Sequence, residues 1–387
     1  MARLLFLTTS FPNRPGHSSG TFVFEQARAL MEIGHRVTVL CPHAPGLARE
    51  EEMAGVRVVR YRYAPERMQQ LAYGGGIPAN LRAAKWRWLT VPELLWAARR
   101  AARRHAKNHD LMHAHWTPSA LAALSAALSA ARGKIPVVVS FHGSDLMGSG
   151  GPMLKAARWA AARASKVVVH SREMFERARA LGLDEDRVVL LPHGVDTEAI
   201  APCPDNETSN EIVAVGRLSV EKGQDVLLHA FAWLNDPTMR LVLIGEGPTR
   251  DALMAEALRL SIGDRVEFAG ELPHAETLER MRRARVFVVP SRREGFGVAC
   301  LEAMAAGRPI VSTRCGGPED LLTHNKDALF VDVDDADAMG GAIRRLLDDR
   351  ELASRLGAAA RARAEAEYDR RVVIRKLDEV YRALLGR

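Results

Sequence analysis

The sequence predicts an α/β protein of two doubly wound parallel sheets, and three observations carry that reading. Short β-branched runs alternate with longer, Ala-rich amphipathic runs from one end of the chain to the other, the pattern of repeated βαβ units. The 387 residues suffice for two domains, at roughly 150 residues each. One stretch, Ala201-Pro-Cys-Pro-Asp-Asn-Glu-Thr-Ser-Asn210, breaks the rhythm with proline and polar residues and reads as a linker.

Taken in order, the strand candidates of the first half are Arg3–Leu7, Arg36–Leu40, Val56–Tyr61, Leu111–His115, Val137–Ser140, Lys166–His170 and Val188–Leu191. A second series comprises Ile212–Gly216, Leu241–Gly245, Val266–Gly270, Val286–Pro290, Ile310–Ser312 and Leu329–Val331. Near-continuous apolar strands of this kind are buried on both faces, as in parallel sheets. Helical patterns lie between them, among them Phe22–Ile33, Pro118–Ala131, Gly223–Leu234, Pro248–Leu260, Gly297–Ala306 and Asp335–Asp349. The expected division is 1–200 for the first domain and 201–365 for the second. Residues 366–387 are expected to form a C-terminal helix returning toward the first domain. Doubly wound sheets bind ligands at the carboxyl ends of their strands, so the expected site is a cleft between two facing sheets.

Composition excludes several classes. With 47% hydrophobic and 26% charged residues, the chain is neither collagen-like nor disordered. No apolar run approaches the ~20 residues of a membrane span. Met1-Ala2-Arg3 leads into only four apolar residues, which is no secretory segment and predicts a cytosolic protein. Cys41, Cys203, Cys300 and Cys315 are scattered without metal spacing and read as buried free thiols.

Familiar phosphate motifs fail. Gly245-Glu-Gly247-Pro-Thr-Arg250 begins like a dinucleotide fingerprint but puts arginine at its third glycine. Asp332-Val-Asp334 and Asp184-Glu-Asp186 sit where helix caps are expected, so no metal site is read there. A stronger constellation follows the strand ending at Val215: Gly216-Arg217-Leu218-Ser219-Val220-Glu221-Lys222-Gly223. Two cations beside a helix N-terminus suit a dianionic diphosphate, though taken alone the run is equally a charged surface loop. Strand Val286–Pro290 then runs into Ser291-Arg-Arg-Glu294-Gly295-Phe296-Gly297, with Glu302 two turns into the next helix. Gly295 and Gly297 allow backbone N–H groups to approach a ligand closely, and the carboxylates of Glu294 and Glu302 are acceptors for sugar hydroxyls.

Gly216–Gly223 together with Glu294-x7-Glu302 resembles the signature of the GT-B glycosyltransferases of family 4. Pro192–Asp196, Gly245–Pro248, Phe268–Leu272 and Thr313–Glu319 fall in that family's order. Thr9–Pro12, Gly20–Val23 and Gly34–Val39 are similar to bacterial cell-envelope and capsular polysaccharide enzymes such as teichuronic acid transferases. The resemblance implies two Rossmann-like domains facing across a cleft and a retaining transferase that needs no metal or other cofactor. Its donor would be a UDP- or GDP-linked sugar. Arg217 and Lys222 would hold the diphosphate, and Glu302 the ribose. Glu294 and the amides of Gly295, Phe296 and Gly297 would meet the donor sugar, with Gly216 and Gly245 lining the donor site. Gly16 and Gly20 would form a loop over the phosphates, and His142 would be the active-site histidine. His113 and His115, on a strand, read as structural. Cys300 departs from the aliphatic residue usual in the family. For retention, a front-face route in which the leaving phosphate takes the acceptor's proton is preferred to double displacement at Glu294.

The net charge of +7 has one source. Between Leu81 and Lys107 stand eight basic residues and one acid, with three of the six tryptophans. On a helical wheel, Arg99, Arg100, Arg103 and Arg104 lie opposite Leu94, Leu95, Ala98, Ala101 and Ala102, and Trp96 falls among the arginines. A tryptophan on a charged face suits lipid headgroups, so the expected partners are an anionic membrane surface and a lipid-linked or saccharide acceptor, with no nucleic acid. The protein would then sit on the inner face of the cytoplasmic membrane. A solvated face with an arginine stacked on the indole remains open. So do two other functions: a sugar-nucleotide epimerase on the same scaffold, and a non-enzymatic basic membrane-binding protein. The intact set of Arg217, Lys222, Glu294 and Glu302 argues against the second.

Overall fold

The computed structural model describes residues 1–13, 20–73, 76–129, 135–146, 151–202 and 209–387. The chain forms two compact α/β units, Met1–Pro192 with Val373–Arg387, and His193–Val372. In the first unit the strands are β1 (Arg3–Leu7), β2 (Arg36–Pro42), β3 (Glu50–Met53), β4 (Val56–Tyr61), β5 (Leu111–His115), β6 (Val137–Ser140), β7 (Lys166–Val169) and β8 (Val188–Leu190). They lie in the order β3-β4-β2-β1-β5-β6-β7-β8, parallel throughout except for β3. Alternate side chains serve opposite faces. Leu5 and Leu7 join the core under helices Val91–Ala106, Thr117–Leu128 and Pro152–Arg163. Leu4 and Phe6 join the core under Thr21–Glu32 and the C-terminal helix Arg370–Leu385.

Edge strand β3 is an element that hydrophobic pattern does not reveal. Its sequence, Glu-Glu-Glu-Met, has no apolar alternation. It pairs antiparallel with β4 and buries Met53 in the core, while arginines on β4 meet its carboxylates: Arg57 pairs with Glu50 at 3.1 Å, and the buried Arg60 pairs with Glu51.

The second unit contains β9 (Glu211–Val215), β10 (Arg240–Ile244), β11 (Val266–Gly270), β12 (Val286–Val289), β13 (Ile310–Thr313) and β14 (Leu329–Val331). All pairs are parallel, in the order β11-β10-β9-β12-β13-β14. Counted along the unit this is 3-2-1-4-5-6, the doubly wound order whose switch point falls between β9 and β12.

The units divide at Pro192 rather than at the Pro-rich stretch, of which residues 203–208 lie outside the described residues. Residues 193–200 stay with the second unit because Val195 bridges Asp369 and Ile200 enters the core there. The Arg361 guanidinium adds bonds to the carbonyls of Thr197 (2.7 Å) and Ile200 (2.5 Å).

The C-terminal helix begins in the second unit and from Val373 onward belongs to the first. Val373, Ile374, Leu377 and Tyr381 recur at helical spacing and are buried. Two buried polar contacts fix its register: His35 Nε2 lies 2.8 Å from Asp378 Oδ1, and Tyr381 Oη lies 2.5 Å from His113 Nδ1. Tyr381→Phe should therefore cost about 1–2 kcal/mol by orphaning a buried imidazole nitrogen. Tyr381→Ala should cost about 3–5 kcal/mol by opening a cavity as well. Urea titration of the first unit's unfolding would measure both, and an unchanged midpoint in Tyr381→Phe would deny the hydrogen bond any role.

Candidate active site

The second unit's site stands on the two loops that leave β9 and β12 at the switch point. The first makes a short 3-10 turn, Val220–Lys222, and ends at Gly223 with φ 63°. A Cβ on Gly223 would lie 2.1 Å from the Pro290 carbonyl oxygen, so only glycine lets the loops touch. Gly245 plays the same part after β10, where a Cβ would meet the Gly216 carbonyl at 2.1 Å.

Arg292 then clamps the contact. Its Nη1 and Nη2 donate to Asp225 at 2.8 and 2.7 Å, its Nε to Asp334 at 2.6 Å, and Nη1 also to the Val220 carbonyl at 2.7 Å. Its backbone N–H reaches the Glu221 carbonyl at 2.8 Å. Burial opposes charge on Asp225, yet the bonds from Arg292 outweigh it and hold the carboxyl below its usual range.

The clamp sets Lys222 against Glu294. The Lys222 ammonium donates to Glu294 Oε2, and the pair lines one recess with Gln224, Ser291, Gly297 and Cys300. Gly216 follows β9 beside the Lys222 side chain. Arg217 is exposed, and its carbonyl accepts from Gln224 Nε2 at 3.0 Å. Gly295 leads to Gly297, which caps helix Val298–Ala305 with φ 93° and directs its N-terminal amides to this edge.

Glu302 lies on that helix, and its Oε1 is 2.7 Å from His274 Nε2. His274 is a residue that sequence reasoning missed, although it stands two residues beyond the Phe268–Leu272 motif. Phe296 is expected to contribute its amide. Its ring is buried in the second unit's core and meets the His193 ring edge-on at 5.0 Å, so only its backbone faces the loop. Cys41, Cys300 and Cys315 are buried free thiols. Burial pushes Cys315 up to about 11, which keeps it protonated.

The first unit gathers imidazoles at the carboxyl ends of β5, β6 and β7. His113 and His115 stack at 4.4 Å, His115 and His142 at 5.6 Å, and His142 and His170 at 4.8 Å. His142 follows β6, and its backbone N–H donates to Asp145 Oδ2 at 2.9 Å. The other oxygen of this buried carboxylate accepts from Thr117 N at 2.9 Å and Thr117 Oγ1 at 2.7 Å. One aspartate thus ties the loop after β6 to the loop after β5. Between β5 and Thr117 stands Trp116 at φ 64°, ψ 154°, a region essentially confined to glycine and costing about 1–3 kcal/mol. Its ring lies 4.3 Å from that of His142 and 5.5 Å from that of Phe22. Gly20 caps helix Thr21–Glu32 against the Ser10 carbonyl. Gly16 lies outside the described residues.

The basic segment is a helix, Val91–Ala106, that buries Leu94, Ala97, Ala98, Ala101, Ala102 and Ala106. Trp96 is 59% exposed and stacks under Arg100 at 5.2 Å, and Arg99, Arg103 and Arg104 are exposed with it. The preceding turn Lys85–Thr90 adds exposed Trp86, Trp88 and Leu89, which the helical wheel did not include. Among the described residues, no helix is long and apolar enough to cross a membrane.

Comparison with known proteins gives this geometry a family. Residues 19–199 match the model of Glycosyltransferase Family 4, and residues 196–363 that of Glycosyl transferases group 1. A GDP-mannose-dependent alpha-(1-6)-phosphatidylinositol monomannoside mannosyltransferase of Mycolicibacterium smegmatis is 30% identical, over 92% of this chain and 92% of its own. The chain belongs to the family 4 glycosyltransferases. The teichuronic acid biosynthesis glycosyltransferase TuaC of Bacillus subtilis is 29% identical over 89% of this transferase and 88% of its own length. In fold, the transferase resembles the sucrose-phosphate synthase of Thermosynechococcus elongatus, with TM-score 0.83 over 99% of both chains at 22% identity. This is the GT-B architecture of two Rossmann-like domains. Family membership sets aside the epimerase and non-enzymatic readings.

The transferase's histidine stack has a measurable consequence. Burial lowers His113 to about 3, helped by the neighbouring His170, and burial lowers His170 itself to about 4. As pH falls through the ordinary value near 6.5, the unfolded chain takes up protons that the folded chain refuses, so stability falls with pH. The urea midpoint of the first unit should decline from about pH 7 to about pH 4.5, with a slope approaching two protons. His170→Gln should remove about half of that slope. A flat midpoint would mean that the imidazoles charge in place.

Proposed function

We propose that the transferase moves a sugar, with retention, from a nucleotide-diphosphate donor to a lipid-linked or saccharide acceptor at an anionic membrane surface. The observation that carries this reading is the switch-point recess, where Lys222 meets Glu294 beside the N-terminus of helix Val298–Ala305 and Arg217 stands exposed on the same loop. Departure of a nucleotide diphosphate puts negative charge on the leaving oxygen. Two cations and a helix dipole are suited to stabilise that charge. We therefore assign Arg217 and Lys222 to the diphosphate, and propose that no metal is essential.

Glu302 is assigned to the ribose, oriented by His274. Glu294 is assigned to the donor sugar, together with the backbone amides of Gly295 to Gly297. The ion pair from Lys222 supports a front-face route, because a carboxylate neutralised by an ammonium is a weak nucleophile. In that route the leaving phosphate accepts the acceptor's proton as the new glycosidic bond forms. His142 is assigned the part of active-site histidine. The mannosyltransferase relative is named for GDP-mannose and a phosphatidylinositol mannoside, which supports a GDP-linked donor and a lipid-linked acceptor. Trp96 with its four arginines, and Trp88 and Leu89 beside them, supply the apolar and cationic groups that anionic headgroups attract.

A panel of UDP- and GDP-sugars, read by release of nucleotide diphosphate and by NMR of the product's anomeric centre, tests the proposal. Retention is expected, and Lys222→Ala or Arg217→Ala should lower turnover by roughly 10²–10³ with the fold intact. An inverted product, or full turnover in both variants, would refute it. Binding to vesicles is a separate outcome. The protein should co-sediment with anionic and not with neutral vesicles, and more weakly as salt rises. Changing Arg99, Arg100, Arg103 and Arg104 together to Gln should abolish this binding. Undiminished binding by that variant would leave the helix a solvated face.

A further inference from the structure

The first sheet has a switch point of its own, between β1 and β5, and Trp116 is the first residue beyond β5. Its backbone occupies a region open in practice only to glycine. A tryptophan persists there because its surroundings over-determine it. Its own N–H donates to the Ser140 carbonyl at 3.1 Å, and the next residue is held twice by the buried Asp145. Simple core filling would not need this conformation, since a relaxed backbone could bury the same ring. The ring is in fact only half-buried. It lies tilted over the His142 imidazole at 4.3 Å, with Phe22 on its other flank.

We infer that Trp116 is a binding residue for a sugar ring of the acceptor, its indole offered as a platform beside His142. The inference deepens the proposed transfer reaction and rests on it. The chemistry selects the ligand class. Among the described residues, the rings packed on Trp116 are those of Phe22, His115 and His142, and none of them carries a permanent charge. An aromatic face instead suits the C–H face of a pyranose, and an imidazole suits its hydroxyls. Asp145 serves as a positioning residue, because its three bonds set the loops that carry Trp116 and His142.

Saturation-transfer NMR on the full-length protein, with methyl α-D-mannopyranoside and methyl α-D-glucopyranoside as probes, tests this. At least one probe should show transfer to its ring C–H protons. That transfer should fall at least about fivefold in Trp116→Gly and be largely kept in Trp116→Phe. Glycine accepts the observed backbone without strain, so Trp116→Gly is expected to stay folded. Should it not fold, Trp116→Leu against Trp116→Phe decides, since both retain bulk and only phenylalanine retains a ring. Affinities of the same variants for UDP and GDP should stay within about twofold. Undiminished transfer in the ringless variants, or no transfer to the wild type while nucleotide binds, overturns the inference and spares the transferase reading. Failure of the wild type to bind either nucleotide overturns the donor assignment instead.

Discussion

The second unit's site depends on one close approach, the backbone of Gly223 against the carbonyl of Pro290. Parallel strands β9 and β12 bring the starts of two loops together, but strand pairing alone does not decide where their side chains point. The missing Cβ at Gly223 lets the turn that carries Lys222 lie against the loop that carries Glu294. Arg292 then holds the contact with a bidentate pair to Asp225, a bond to Asp334 and a bond to the Val220 carbonyl. A planar guanidinium can satisfy these partners at once because its donors form a rigid fork, which an ammonium could not imitate. The Lys222–Glu294 pair follows from the clamp, not the reverse. A two-atom ion pair at this half-open edge would be worth little alone.

The first unit solves the same topological problem with different forces. At its carboxyl edge Asp145 accepts from two loops, and the resulting constraint holds Trp116 in a backbone conformation that its side chain disfavours. The imidazoles beside it are buried and stacked, and His113 and His170 are held neutral by that burial. The C-terminal helix completes the arrangement by placing Tyr381 on His113. One end of the chain therefore fixes a histidine that lies 268 residues earlier.

Much of this was legible in the sequence, and the failures have physical causes. The thirteen strands read from β-branched runs are all present, because a strand buried on both faces advertises itself by continuous hydrophobicity. Strand β3 escaped because three of its four residues are glutamates, and Met53 alone carries it into the core. The Gly216–Gly223 and Glu294–Glu302 runs identified the loops, since glycines and charges at strand ends are local signals. Their mutual pairing was not local: Lys222 and Glu294 are 72 residues apart, and nothing in either run says that they touch. His274 was hidden likewise, as its partner Glu302 lies 28 residues on. The helical wheel placed Trp96 among the arginines correctly, but a wheel cannot follow a 3-10 turn, so Trp86 and Trp88 were counted in the segment without a place on its surface and Leu89 was overlooked.

The contrast between the two edges follows from what each kind of ligand demands. In the proposed reaction a diphosphate would be recognised by permanent charge, which calls for cations on loops held in place, and Gly223 and Arg292 hold the loop that carries Lys222. A neutral sugar offers only C–H faces and hydroxyls, and each single contact with them is weak. Such contacts count only when the protein has already met the entropy of ordering the groups that make them. An indole fixed by a strained backbone and two loop-spanning hydrogen bonds is ordered in advance. The conformational strain at Trp116 is then the cost of that order, drawn from the folding free energy of a well-packed sheet. Charge at the second unit's edge and preorganised shape at the first unit's are two distinct forms of recognition, and the proposed transfer of a sugar from an anionic donor would use both.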